Sequence, residues 1–252
     1  MNKISILFSI IIILLLSCNK EKLFTGSNYI NDDFESVSDA SELLSSENWT
    51  FYQQTEMASS MQLDTILKVS GNKSLKFIAA KGDVSKSDIA NNELAFFEGE
   101  TMKFSGWFYL NDSLTLDYIF LIDIEEKVAI GASPGIRIAV NDEGYLVVDR
   151  SKFGEKTIMQ TVGKEVKFPR NEWVNIEFEI LLHQKKKGKI RLWQNDVSLI
   201  DVNNIKTLPK DKLFFTQGTK GMYQSLQVGI TAVTANHDVV LYIDNIILEK
   251  IN

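Results

Sequence analysis

A period of two runs through this chain from Lys73 to its last residues. In WVNIEFEILL (173–182), Val174, Ile176, Phe178 and Ile180 alternate with Asn175, Glu177 and Glu179. Successive side chains of a strand point to opposite faces, so such a run buries one face and leaves the other to solvent. The same alternation marks KSLKFIA (73–79), MKFSGWFYL (102–110), GIRIAV (135–140), YLVVD, KIRLW, LQVGIT and VVLYIDNIILE. All three prolines, in SPG, FPRN and LPKD, fall between runs, where no ladder needs their missing N–H. NDEG (141–144) and WQND (193–196) supply hairpin turn chemistry. One short helix is expected, over Asp39 to Ser45. Closely spaced strands of this kind predict an all-β fold, a two-sheet antiparallel jelly-roll sandwich.

With 44% hydrophobic residues and no low-complexity tract, the chain can fill a packed core. A net charge of −6 argues against nucleic acid as a partner, because phosphate binding needs a concentrated basic surface. The first residues, MNKISILFSIIIILLLSC, read as a targeting segment. Lys3 precedes an apolar run over residues 4–16 that is short for a membrane span of about 20 residues. Its end, LLSC, resembles a bacterial lipobox. That resemblance implies a signal peptide over 1–17, lipid on Cys18, a tether over 18–28 and one jelly-roll domain over 29–252. It implies a cell-envelope protein held by its lipid at the outer membrane; an uncleaved anchor helix is the alternative. Cys18 is the chain's single cysteine, so no internal disulfide forms and the thiol is available for lipid.

FLIDIEE (120–126) places two acids inside an apolar strand. By alternation Leu121, Asp123 and Glu125 share one face, and Ile122 and Ile124 the other. Two carboxylates on one sheet face suit acid–base work on a sugar; they equally suit a solvated strand end.

The order of features resembles the concanavalin A-like jelly roll of lectins, endoglucanases and polysaccharide lyases. The residues that carry the likeness are DDFES, GNKSLKF, NNELAFFEGETMKFSGWFYL, FPRNEWVNIEFEILL, GKIRLWQNDVSLID, YQSLQVGITA and LYIDNIILEK, which together span nearly all of the chain after the leader. It is most similar to the heparin- and alginate-lyase type of domain. Glucanases of this fold carry Glu, Asp and Glu at alternate strand positions. Here Asp123 and Glu125 match, but Leu121 stands at the nucleophile position and forms no glycosyl intermediate. The lyase resemblance implies a base that takes the proton beside a uronate carboxylate and an Arg, Gln or Asn that neutralises that carboxylate. At the first lyase motif the chain reads NNELA (91–95), keeping Glu93 and Leu94 and lacking both arginines. The C-terminal motif's tyrosines and lysine are replaced around Gly229, although Gln227 and Gly229 are polar or glycine as in the motif. If the chain is a lyase, the expectation is Tyr223 as base with Asn92 or Gln227 facing the uronate carboxylate.

Sugar binding on a β-sandwich uses rings under pyranose faces and polar groups beside them. Trp107 and Tyr109 on one strand, and Arg191 and Trp193 on another, are candidates, with Asp123 and Glu125 as hydrogen-bonding partners. His183, at the head of HQKKKGK, and His237 both fall in loops without metal-ligand spacing. Jelly-roll carbohydrate modules often join their first and last strands through calcium; by that resemblance Glu35 and Asp244 are expected to converge on a structural calcium ion. The resulting expectation is a lipid-anchored envelope protein that binds extracellular polysaccharide without cleaving it. A diverged polysaccharide lyase or glycosidase is the alternative, and a structural envelope lipoprotein without a glycan ligand is the third reading.

Overall fold

The computed structural model describes residues 25–114, 116–126, 133–209 and 222–252. The expected leader, Cys18 and the first part of the expected tether lie outside the described residues. The strands run, in chain order, β1 (Tyr29–Asp32), β2 (Phe51–Gln54), β3 (Ser60–Asp64), β4 (Ser74–Ala79), β5 (Gly82–Asn91) and β6 (Phe96–Phe97). They continue as β7 (Thr101–Asn111), β8 (Ile119–Glu125), β9 (Gly135–Val140), β10 (Leu146–Asp149) and β11 (Trp173–Leu181). The last five are β12 (Gly188–Gln194), β13 (Val197–Ile205), β14 (Met222–Tyr223), β15 (Ser225–Ala235) and β16 (Val239–Lys250). The expected short helix is present as a 3-10 turn, Ala40–Ser45, with the Ser41 N–H capped by the Asp39 side chain. Among the described residues no helix is long and apolar enough to cross a membrane.

Two antiparallel sheets form the sandwich. The larger runs β13-β12-β11-β7-β16-β4-β3, with β1 also paired to β16; the smaller runs β10-β9-β8-β15-β5-β2. The jelly-roll expectation stands. The core fills the space between the sheets because each strand turns its apolar set inward: Val174, Ile176, Phe178 and Ile180 of β11 are fully buried, while Asn175, Glu177 and Glu179 face outward. Phe104 stacks on Phe178 with ring centroids 4.9 Å apart, and Ile124, Ile138 and Val228 belong to the same core. Each such side chain contributes about 1.5–3 kcal/mol on burial. The WQND turn behaves as its chemistry demands: Asn195 and Asp196 both adopt positive φ, 47° and 65°, joining β12 to β13 directly.

The domain's hydrogen bonding begins inside the expected tether. Ser27 donates its N–H to Glu93 O and accepts at its own carbonyl from Ala95, ahead of β1. Gly26 is required there, because a Cβ would lie 2.4 Å from Glu93 O.

Candidate functional site

The outer face of the smaller sheet carries a cluster of well-buried ion pairs. Its centre is β8, and β8 departs from plain alternation: a bulge shifts its register against β9 between Phe120 and Ile122. Leu121 and Ile122 are consequently both fully buried in the core, and Phe120 rather than Leu121 shares the outer face with Asp123 and Glu125. The expected face for Leu121 is therefore corrected.

Around Asp123 the pairing brings Arg137 of β9 on one side and Gln227 of β15 on the other. Asp149 of β10 lies beyond Arg137 and takes its guanidinium through Nε at 2.8 Å and Nη2 at 2.6 Å. The same guanidinium lies 3.8 Å from the centroid of the Phe120 ring, and the Tyr118 ring stacks with that ring at 5.8 Å. A 3-10 turn after β10, Ser151–Phe153, closed by Gly154 at φ 79°, swings Lys152 back over the sheet. Lys152 Nζ donates to Asp123 Oδ2 at 2.6 Å and also to Glu125 Oε1, while Gln227 Nε2 donates to Glu125 Oε2 at 2.9 Å.

Deeper in the face is Asp88 of β5, fully buried, with neither carboxyl oxygen hydrogen-bonded among the described residues. Burial drives its pKa well above the usual carboxylate range, with Lys86 opposing and the Asp123 and Glu125 charges adding to the rise. Asp123 is raised to about 6, first by burial and then by Glu125, against the pull of Lys152 and Arg137. For Asp149 burial also raises, but the hydrogen bonds and charge of Arg137 prevail and hold it below the ordinary value. Lys152 loses charge stability to burial and regains more from Asp123 and Glu125, so it holds its proton more firmly than a free lysine. Apart from Asp88, the charges at the centre of the face are paired: Arg137 with Asp149, and Lys152 with Asp123 and Glu125.

The expected lyase residues do not assemble there as a base and its helper. Tyr223 is fully buried, its hydroxyl donates to Thr207 O at 2.7 Å, and burial pushes its pKa well up; a phenol so placed does not take a proton from a sugar. Asn92 receives the Ser225 hydroxyl on its Oδ1 at 2.8 Å, at the edge of the face, and Gln227 is committed to Glu125. The histidines lie elsewhere, His183 Nδ1 2.9 Å from Glu98 and His237 Nε2 2.7 Å from Asp112. Tyr118, at the rim, has its pKa raised by burial and by nearby acids, which keeps the phenol protonated and leaves little phenolate to act as a base.

The remaining ligand candidates separate from Asp123 and Glu125. Trp107, Tyr109, Arg191 and Trp193 stand on the outer face of the larger sheet, across the sandwich. Arg191 is tied there to Glu179 at 3.2 Å and Asp201 at 3.5 Å. The proposed calcium ligands also take other partners. β1 does pair with β16, but Glu35 Oε1 accepts the N–H groups of Asn72 and Lys73, both at 2.7 Å, and Oε2 accepts the Asn72 side chain. Asp244 Oδ2 accepts from Val69 and Ser70, and its Oδ1 from Asn245. Every carboxylate oxygen of the pair faces an N–H donor, an environment that does not fit a cation. Among the described residues no three His, Cys, Asp or Glu side chains gather as a metal centre.

A family profile described as polysaccharide lyase matches residues 41–247. The chain belongs to this polysaccharide lyase family. Solved structures that share the fold include an endo-β-1,4-glucuronan lyase from the fungus Trichoderma reesei, 12% identical over 89% of this chain and 95% of that one, with a TM-score of 0.64. An alginate lyase variant in complex with alginate trisaccharide is 11% identical, over 90% of this chain and all (100%) of that one, with a TM-score of 0.60. A cellulose-induced protein, Cip1, is 15% identical over 87% and 96%, with a TM-score of 0.59. No curated relative matches. Membership of the polysaccharide lyase family agrees with the likeness read from the sequence, and at these identities the structural neighbours show the fold alone.

Alternation alone did not expose this family member's charged face. Lys152 reaches Asp123 and Glu125 across 29 and 27 residues of sequence, and Arg137 meets Asp149 only because β9 and β10 pair. For Lys152 the local signal is the turn itself, Asp149 with Gly154, which marks a sharp return of the chain.

Proposed function

We propose that this member of the polysaccharide lyase family holds a polysaccharide chain along the outer face of its smaller sheet without cleaving it. The observation that carries the reading is the pinning of Lys152 between Asp123 and Glu125, beside an equally paired Arg137. Uronate elimination needs a free base and an uncompensated cation or amide to steady the carbanion. Around Asp123 and Glu125 neither is free: the two carboxylates hold Lys152, Asp149 holds Arg137, and Glu125 holds the Gln227 amide. The face does offer what a sugar hydroxyl recognises, carboxylates and an amide held in fixed positions. The tether through Cys18 belongs to the same reading, supported by LLSC, and fractionation of cells carrying Cys18→Ala tests it.

The protein should be incubated with glucuronan, alginate and neutral glucans. The expected outcome is retardation in gels loaded with at least one of them, weakened about tenfold in Lys152→Ala, with no rise in the ultraviolet absorbance of unsaturated chain ends. A rise abolished by Lys152→Ala would instead establish the second reading, a diverged lyase. Family membership favours that alternative, and in it substrate would have to displace the two acids from Lys152. No retardation by any glycan would overturn the proposal.

A further inference from the structure

Three of the chain's four tryptophans stand on one solvent-facing surface. Trp49 is fully buried, whereas Trp107, Trp173 and Trp193 are half-buried on the outer face of the larger sheet. Indoles are the costliest side chains to leave against water, and a stable fold needs none of them there. The register sets them beside one another and beside hydrogen-bonding groups. Trp173 pairs with Tyr109, Asn175 with Trp107, and Glu177 with both Ser105 and Trp193. Tyr109 holds Trp173 edge-on at 5.5 Å and Tyr242 at 5.8 Å, so the ring positions are fixed before any ligand arrives.

Between Trp107 and Trp173 lies a recess of about 510 Å³, whose polar lining includes Asn175, Glu177 and the turn Asn195–Asp196. Asn195 Oδ1 accepts the Asn175 N–H at 2.8 Å, which orients its amide and leaves the Asn195 NH₂ for another acceptor. Asn175 Nδ2 donates to Ser105 and to Gly106 O, leaving its own oxygen for a donor. The charges choose among glycans. Arg191, the nearest cation along β12, is spent on Glu179 and Asp201, while Glu177 and Asp196 in the recess have no cation partner among the described residues. Free carboxylates repel a polyuronate and accept hydrogen bonds from hydroxyls.

We infer that the outer face of the larger sheet is a second glycan-binding surface, separate from the charged face across the sandwich, and that it takes a neutral polysaccharide whose pyranose rings lie on Trp107 and Trp173. Stacking supplies the apolar contact, and Asn175, Asn195 and Glu177 meet the equatorial hydroxyls.

Tryptophan fluorescence reads this surface directly, because the fourth indole is buried elsewhere. Hydroxyethyl cellulose, galactomannan and a soluble mixed-linkage glucan should be titrated against the protein, with retardation in gels loaded with the same polymers measured in parallel. At least one neutral polymer is expected to shift the emission and retard the protein. The double variant Trp107→Ala/Trp173→Ala should lose both effects. Glu177→Ala, which removes a side chain with no partner among the described residues, should weaken binding about tenfold. Lys152→Ala should leave this binding unchanged, which separates it from the charged face. Binding that survives both Trp107→Ala/Trp173→Ala and Glu177→Ala, binding lost in Lys152→Ala, or an emission shift with anionic polymers alone would each overturn the inference, as would no response to any neutral polymer.

Discussion

Asp123 sets the acid–base behaviour of the charged face. Its pKa of about 6 stands above the unfolded value near 3.9, so between those limits the folded chain binds a proton that the unfolded chain does not. By linkage its contribution to stability rises as pH falls through about 6 and is lost again as pH rises through it. Asp88, Asp32 and Asp244, also raised by burial, act in the same direction. Denaturant unfolding of the wild type is expected to show a higher midpoint at about pH 5 than at about pH 7.5, and Asp123→Asn should reduce that difference. An unchanged difference in the variant would show that another group carries it. Protonation of Asp123 also leaves Lys152 facing Glu125 alone, so affinity for any polyuronate should rise over the same interval. The two acids themselves were legible from FLIDIEE, as was their common face. Their partners were not: a sequence shows which residues have charge, but pairing across strands decides which charges meet.

Elements were legible where alternation was unbroken and misleading where one residue interrupted it. β11, β12 and the WQND turn lie where period and turn chemistry place them. β8 does not, because the bulge at Leu121 moves that side chain to the other face without any Gly or Pro to announce it. The first and last strands show a different kind of shortfall. The proximity of Glu35 and Asp244 followed from the fold, but the intervening loop, 69–73, supplies backbone N–H groups where a metal was expected. Asp244→Ala removes the acceptor of three N–H groups, one of them on Asn245 at a positive φ of 50°, and should destabilise the fold by about 1–3 kcal/mol. Calcium or chelator should leave the wild-type melting midpoint unmoved. A midpoint that rises with calcium, and does so only while Asp244 is present, would restore the metal.

At the scale of the molecule, the fold puts two chemically distinct surfaces back to back. One is a lattice of ion pairs and the other a floor of indoles; the packed core between them keeps each in place without a disulfide. The larger of the two sheets has a further property, set by where β16 sits. It pairs with β7 on one side, β4 on the other, and β1 beyond its bulge, so the final strand in chain order occupies the middle of the sheet. Until Val239–Lys250 is present, the group β13-β12-β11-β7 and the group β4-β3 have no shared edge. Tyr29, among the first residues of the domain to be made, finds its partner only in Glu249. Contacts of such long sequence separation form late and slow the folding reaction. A chain shortened to end before Val239 should accordingly show no cooperative unfolding transition, whereas retention of one would mean that the halves can close without it. Synthesis order therefore sets a limit on assembly: the two parts of the larger sheet can meet only once the last strand of the chain has been made.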